Sequence, residues 1–227
     1  MSRSNLSEQE LVESASVARL RAQVIERARQ EPAPTRAQVV ARHAVLVSAV
    51  TLVPLLVFVA IGGVRTGPRP PALVLETTLG SGLLALVVAG AGLGRGRSML
   101  GRPRAWLLSV VLLTPLLLLA WRVLTSSQYP DMMAEWSARP GFRCFSISCA
   151  MSLAPLLGVL WMRRGSEPAN PRLTAAGFAA AVGAGVWVLV DLWCPVGYVP
   201  HLLLGHVLPL VLLMALSALL GSRLLKI

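Results

Sequence analysis

The sequence predicts an all-α protein, an integral membrane bundle of six transmembrane helices preceded by a short amphipathic helix. Composition is the first reason. Hydrophobic residues make up 55% of the 227 residues and charged residues only 14%, whereas soluble domains contain about 25% charged residues. The second reason is that the apolar residues come in long unbroken blocks, which is typical of helices that cross a bilayer.

Six blocks are long enough to cross a bilayer, which takes about 20 apolar residues. Their uniform composition favours helices, because membrane strands alternate apolar and polar residues. The predicted spans are residues 44–64, 72–94, 105–124, 142–162, 173–193 and 202–222. Residues 44–227 are therefore the predicted transmembrane domain.

The basic residues predict how this domain is oriented. Of the 21 Lys and Arg residues, 16 lie before the first span, between spans two and three, between spans four and five, or after span six. Because basic residues concentrate on the cytoplasmic side, both termini are predicted to be cytoplasmic. The orientation of the helices in the lipid bilayer thereby explains the net charge of +11, and no direct nucleic-acid partner is expected.

Residues 1–43 are predicted to form a separate cytoplasmic segment, with an amphipathic helix over about 7–30 and a proline-containing linker over 31–36. Ser7 and Glu10 have the spacing of a capping box, and Pro32 and Pro34 cannot continue a helix. Apolar residues at helical spacing form a stripe along it. The stripe consists of Leu11, Ala15, Ala18, Ala22 and Ile25, flanked by Val17, Leu20 and Val24.

An amphipathic helix without a core of its own needs something to cover its apolar stripe. The segment could bind a soluble partner, lie on the lipid surface, or pack on the membrane domain. Its five glutamates among seven arginines count against a helix that only binds lipid, which would be more uniformly basic. The pattern leaves the three alternatives open.

The predicted topology brings two cysteines and a histidine to the extracytoplasmic end of the bundle. Cys144 begins span four, Cys194 follows span five and His201 precedes span six, with Asp191 one turn before Cys194. Disulfides persist outside the cytoplasm, and thiolates and imidazoles bind soft metals. A disulfide and a bound metal ion are thus both candidates, beside the simpler interpretation that these cysteines only pack. Cys149 is interpreted as a packing residue, and His206 as a helix-packing histidine that is hydrogen-bonded to the backbone.

No sequence motif of a phosphate-binding loop, a zinc protease or a serine hydrolase occurs, so we expect no enzymatic activity. A small-molecule carrier is one alternative function, but it would need ionisable groups along a path through the bundle. Glu76, Arg122 and Asp191 all lie near predicted span ends. A membrane protein that responds to metal or redox changes through the Cys/His residues is a second alternative.

The most specific motifs lie in the second half of the chain, from GFRCFSISCAMSLAPLLGVLWMRRGSEPANPRLTAAGF through LWCP to the closing GSRLLKI. They resemble the NrsF family of bacterial six-helix membrane proteins, which act as anti-sigma factors. The overall form is also similar to that of the membrane anti-sigma factor controlling light-induced carotenoid genes in myxobacteria. The family's cysteines, central proline, basic pair and following proline fall on Cys144, Cys194, Pro155, Arg163, Arg164 and Pro171. The segment GYVPHLLLGHVLP departs from the family pattern.

The resemblance implies a multi-pass protein of the bacterial inner membrane that takes part in stress responses. Its cytoplasmic N-terminal segment would bind an extracytoplasmic-function sigma factor and release it on an extracytoplasmic signal. The residues expected to contact the sigma factor are Leu11, Val17, Leu20, Val24, Ile25, Arg19, Arg21 and Arg27. The residues expected to sense a redox change or a metal are Cys144, Cys194, His201 and Asp191.

Overall fold

The computed structural model describes residues 17–19, 21–23, 26, 35–65, 69–93, 102–130, 140–164, 166 and 168–225. The chain divides into two compact units, Met1–His43 and Ala44–Ile227. The described residues form helices and turns and contain no strand. The helices are α1 (Arg36–Ala60), α2 (Pro71–Leu93), α3 (Arg104–Ser127), α4 (Phe142–Met162), α5 (Pro171–Trp193) and α6 (Val199–Leu224).

Among the helices formed by the described residues, five, α2 to α6, are long and apolar enough to cross a membrane. The protein is therefore a multi-pass membrane protein, as the sequence predicts. The apolar part of α1 that belongs to the second unit, Ala44–Ala60, is shorter than these five helices. The sixth span consequently stays a prediction.

Helix α1 begins at Arg36, eight residues before the predicted start of the first span. A reciprocal cap explains the earlier start. The Gln38 backbone N–H donates to Thr35 Oγ1 at 3.3 Å, and the Thr35 N–H donates to Gln38 Oε1 at 3.0 Å, which is the capping-box arrangement. The predicted linker therefore ends at Thr35. The capping box predicted at Ser7 and Glu10 lies outside the described residues.

The described pieces of the N-terminal unit before Thr35 are helical and exposed. Three of the predicted sigma-contact residues belong to these pieces: Val17, Arg19 and Arg21. The other five lie outside the described residues: Leu11, Leu20, Val24, Ile25 and Arg27. The contact surface as a whole thus stays a prediction.

Helix α5 is the centre of the transmembrane bundle and packs against α2, α3, α4 and α6. Of its apolar stretch 72% is buried, against 22–44% for the other four long helices. Its small residues make this burial possible, because they let neighbouring backbones approach closely. Ala176, Ala180 and Ala184, which repeat at every fourth position, are all buried.

Helices α2 and α5 approach each other closely at Gly92. A Cβ atom added there would lie 2.7 Å from the carbonyl oxygen of Gly177. Because this neighbour is backbone, one of the two helices would have to move. Glycine at position 92 therefore sets the distance between these helices.

We predict that Gly92→Ala lowers the stability of the purified protein by about 1–3 kcal/mol, the usual cost of overpacking. Thermal unfolding in detergent would show this as a melting temperature several degrees lower. Gly90→Ala is the matched control, since a Cβ atom there has no neighbour within 4 Å. Equal melting temperatures for the two variants would contradict the close approach.

Candidate functional site: a buried cysteine–histidine cluster

Three helices bring two thiols and two imidazoles together at one end of the bundle. We call this the cysteine end; α1, α3 and α5 end there, and α2, α4 and α6 begin there. Cys144 lies in the first turn of α4, Cys194 caps the end of α5, and His201 lies in the first turn of α6. With His206 they form the Cys/His cluster, whose four ligand atoms lie within 4.8 Å of one another. All four residues are buried.

The His201 ring lies between the two thiols. Its Nε2 is 3.4 Å from Cys144 Sγ and 3.2 Å from Cys194 Sγ. Both cysteines are free thiols. The thiolate is the form that binds metals and reacts with oxidants.

His206 belongs to this cluster, although its position in the sequence did not indicate it. Residues five positions apart on an α-helix lie about 140° apart around its axis, so His201 and His206 are expected on different faces. A π-helical turn over Leu203–Val207 changes this. The two ring centroids are 5.9 Å apart. Regular helical periodicity cannot reveal such a turn.

The interpretation of His206 as a histidine hydrogen-bonded to backbone is wrong. It is 3% exposed, and neither of its ring nitrogens has a hydrogen-bond partner. Its ring instead meets Trp187 edge to face, with centroids 5.1 Å apart. A buried imidazole with two unpaired nitrogens is costly, because buried polar groups are normally paired.

Two glycines allow α4 to approach α6 at the cluster. Gly141, which precedes α4, has φ of 91°, a left-handed conformation that suits glycine. A Cβ atom on Gly205 would lie 2.9 Å from Cys144 Cβ and 3.0 Å from the Gly141 carbonyl oxygen. The position of Cys144 next to the π-helical turn therefore depends on glycine at both places.

Asp191, predicted as a sensing residue, lies outside the cluster. Its Oδ1 forms an ion pair with Arg122 Nε at 2.6 Å, and both side chains are at most 2% exposed. Arg122 also donates to Ser126 Oγ at 2.7 Å and to the Val196 carbonyl oxygen at 3.4 Å. Arg122 thus contacts residues on both sides of Cys194. The sequence signal for this pair was two opposite charges at the same predicted depth.

A second arginine holds the last turn of α5. Arg69 Nη1 donates to the Asp191 carbonyl oxygen at 2.7 Å, and its Nη2 donates to the carbonyl oxygens of Leu192 and Arg65. Cationic side chains at the C-terminus of a helix satisfy its free carbonyls and complement its dipole. The turn that carries Cys194 is therefore fixed by two buried arginines from different parts of the chain.

The opposite end of the bundle has a similar arrangement at the end of α2. Arg102 Nη2 donates to the Gly90 carbonyl oxygen at 2.9 Å and Arg163 Nη2 to that of Leu93 at 3.2 Å. Trp106 Nε1 donates to the Ala91 carbonyl oxygen at 3.4 Å. Some of the basic residues that predict the orientation thus also cap a helix.

The fold and the cluster define a class: a multi-pass helical membrane protein with buried thiols and imidazoles at one end of its bundle. Residues 28–226 match the NrsF family, described as negative regulator of sigma F. The chain belongs to this family, and its role is that of an anti-sigma factor, with a sigma factor as partner. The resemblance stated from the sequence is thereby confirmed. No curated protein and no solved structure matches the chain significantly.

We predict that Asp191→Leu costs about 3–5 kcal/mol, because it leaves the Arg122 charge buried without its partner. The double variant Arg122→Met/Asp191→Leu should recover much of this loss, since no buried charge then remains unpaired. Thermal unfolding of both proteins in detergent measures the difference. Arg143→Met is the control, because Arg143 is exposed and its guanidinium lies over the Trp193 ring. Additive losses in the double variant would contradict a coupled pair.

Proposed function

We propose that this protein holds an extracytoplasmic-function sigma factor at the bacterial inner membrane and releases it in response to an extracytoplasmic signal. The N-terminal segment binds the sigma factor, and the Cys/His cluster receives the signal as a metal ion or an oxidant. The observation that carries the proposal is the burial of two thiols and two imidazoles within 4.8 Å at one end of the bundle. No enzymatic step is part of this proposal.

The charge distribution supports an extracytoplasmic position for the cluster. Arg102, Arg104, Arg163, Arg164 and Arg223 lie at the ends of helices opposite to the cysteine end. Basic residues of membrane proteins concentrate in the cytoplasm. With the cysteine end outside, the cluster lies in the compartment where thiol oxidation persists, and the N-terminal segment lies where a sigma factor is available.

The N-terminal segment offers both apolar and charged groups to a partner. Val17 is 45% exposed, and Arg19 and Arg21 are exposed beside it. In our proposal the apolar stripe provides the affinity. The arginines provide charge complementarity, which raises the association rate more than the affinity.

Helix α1 connects the cluster to the N-terminal segment. At the cysteine end, Phe58 shares an apolar cluster with Cys144, Cys194 and Trp193, and Trp193 Nε1 donates to the Ile61 carbonyl oxygen at 3.0 Å. The middle of α1 borders an open apolar groove of about 740 Å³ that also lies against α2 and α5. A helix held at one end and loosely packed along its length can change its position when that end changes.

The coupling has a thermodynamic requirement. A signal releases the sigma factor only if it favours an arrangement of the bundle that has lower affinity for the sigma factor. In our proposal the two arrangements differ in how α1 packs on α2 and α5. The open groove beside Thr51, Pro54 and Leu55 gives α1 room for this difference.

The carrier alternative has less support. The open groove of about 740 Å³ is lined almost entirely by apolar residues, with Thr51 and Thr78 as the polar exceptions. A path for a polar solute would need ionisable or hydrogen-bonding groups along it. The second alternative, a membrane protein that responds to metal or redox changes, uses the same cluster. The proposed function includes it, because a metal ion or an oxidant is the proposed signal.

Reporter fusions test the proposed orientation. An alkaline phosphatase that is active only outside the cytoplasm should be active when fused after residue 130 and inactive after residue 100. A fluorescent protein that folds only in the cytoplasm should give the reverse pattern, and should also fluoresce at the C-terminus. Phosphatase activity at residue 100 would contradict the orientation and with it the proposed signalling.

Substitutions in the N-terminal segment test the sigma contact. We predict that Val17→Asp and Ile25→Asp each reduce the sigma factor that co-purifies with the full-length protein at least tenfold, because a buried carboxylate opposes an apolar interface. Gln23→Asp is the control, since it adds the same charge away from the predicted apolar stripe. Undiminished co-purification by both stripe variants would place the contact elsewhere.

A further inference from the structure

We infer that Cys144, Cys194, His201 and His206 form a four-ligand site for a soft or borderline metal ion of the Zn²⁺ or Cu⁺ type. The site itself is argued from the geometry of the cluster. Its effect on sigma release rests on the proposed function and is tested separately.

The donor set fits such a metal. Two thiolates and two imidazoles in a tetrahedral arrangement are typical of zinc, and thiolates select soft metals over hard ones. From the bond lengths of zinc sites, the donor atoms would lie roughly 3.3–3.8 Å apart. His201 Nε2 already lies 3.4 and 3.2 Å from the two sulfur atoms. The most separated of the four ligand atoms are no more than 4.8 Å apart, so a contraction of about 1 Å completes the site.

His206 gives an independent reason to expect a ligand. Its ring is 3% exposed, yet both nitrogens lack a hydrogen-bond partner. A disulfide between the two cysteines would leave these nitrogens as they are. A metal ion would satisfy one of them and so remove part of the cost of burying the ring.

The π-helical turn favours the same conclusion. A π turn is rarer than α-helix and frequently occurs at functional sites. Here it is the feature that brings His201 and His206 to one side of α6. Ser148 Oγ donates to the carbonyl oxygen of Gly205 at 3.4 Å within this turn, which helps to stabilise it.

The other nitrogen of His206 also has suitable surroundings. The ring lines a cavity of about 10 Å³ together with Ser148, Ser152 and Trp187. A cavity of this size is about that of one water molecule. Metal-bound imidazoles normally donate their second N–H to a neighbouring oxygen or water, and the hydroxyls of Ser148 and Ser152 border this space.

Metal binding would act on three helices at once. The bound ion replaces the two thiol protons, which are released to solvent, and draws α4, the end of α5 and the start of α6 together. Phe58 of α1 packs in the same apolar cluster as both cysteines. Closure of the site therefore changes the surface on which the end of α1 rests, which is the signal that the proposed function requires.

The test uses the full-length protein, purified in detergent through a tag that contains no histidine. Co²⁺ serves as the spectroscopic probe and Zn²⁺ affinity is measured by competition with a chromophoric chelator. We expect one Co²⁺ per chain, with a thiolate charge-transfer band and the strong visible bands of four-coordinate cobalt. His206→Phe should lower Zn²⁺ affinity by more than about 100-fold, since losing even an outer-shell partner costs 10–100-fold.

Two further variants keep the test decisive. Cys149→Ser is the control, because Cys149 is on α4 but outside the cluster, and it should bind Zn²⁺ as the unaltered protein does. Cys144→Ser, which changes one atom, should lose the charge-transfer intensity of one thiolate and covers the case that His206→Phe does not fold. Unchanged Zn²⁺ affinity in His206→Phe, or a cobalt spectrum without thiolate bands, would overturn the site.

The regulatory role is measured on membranes that carry the bound sigma factor. Zn²⁺ should change the amount of sigma factor retained by the unaltered protein and leave the amount retained by Cys144→Ser unchanged. Metal binding without any change in retention would overturn the regulatory role while the site stands. A membrane fraction that retains no sigma factor even without added metal would instead refute the proposed function.

Discussion

The buried ion pair between Arg122 and Asp191 is the constraint on which the cysteine end depends. A buried pair costs desolvation on both partners, and it persists only when both charges are well placed. Here Arg122 forms an ion pair with Asp191, which precedes Cys194, and donates to the carbonyl oxygen of Val196, which follows it. Arg69 donates to the carbonyl oxygens of Asp191 and Leu192. The turn carrying Cys194 is thus fixed by charge, and the thiol position follows from it.

The cluster itself is assembled by unusual backbone features on either side of that turn. Gly141 and Gly205 allow α4 and α6 to meet, and the π-helical turn brings His206 beside His201. Each feature has a local cost, since π turns are rare and unpaired buried imidazoles are unfavourable. That these costs coincide at the two cysteines supports a binding role for the cluster. At the other side of the same apolar cluster lies Phe58 of α1, which gives a change at the thiols a physical route toward the N-terminal segment.

Much of the fold could be predicted from the sequence because hydrophobic length alone identifies helices that cross a bilayer. The predicted span 142–162 coincides with α4. The start of α1 was less predictable, since Thr35 and Gln38 form a cap between two prolines and an apolar block. The NrsF resemblance rested on the motifs from Gly141 to the closing GSRLLKI, which include Cys144 and Cys194, and the family match confirms it.

The sequence by itself determined the class of protein, the five long apolar helices α2 to α6, and the placement of Cys144, Cys194 and His201 at one end, because these follow from apolar length and helix order. Only the tertiary structure decided which polar groups meet. Asp191 turned toward Arg122, and the π turn brought His206 into the cluster. The reason is that periodicity assumes a regular helix and says nothing about which neighbour a side chain faces. Contacts between α3, α5 and α6 depend on how the helices pack against one another.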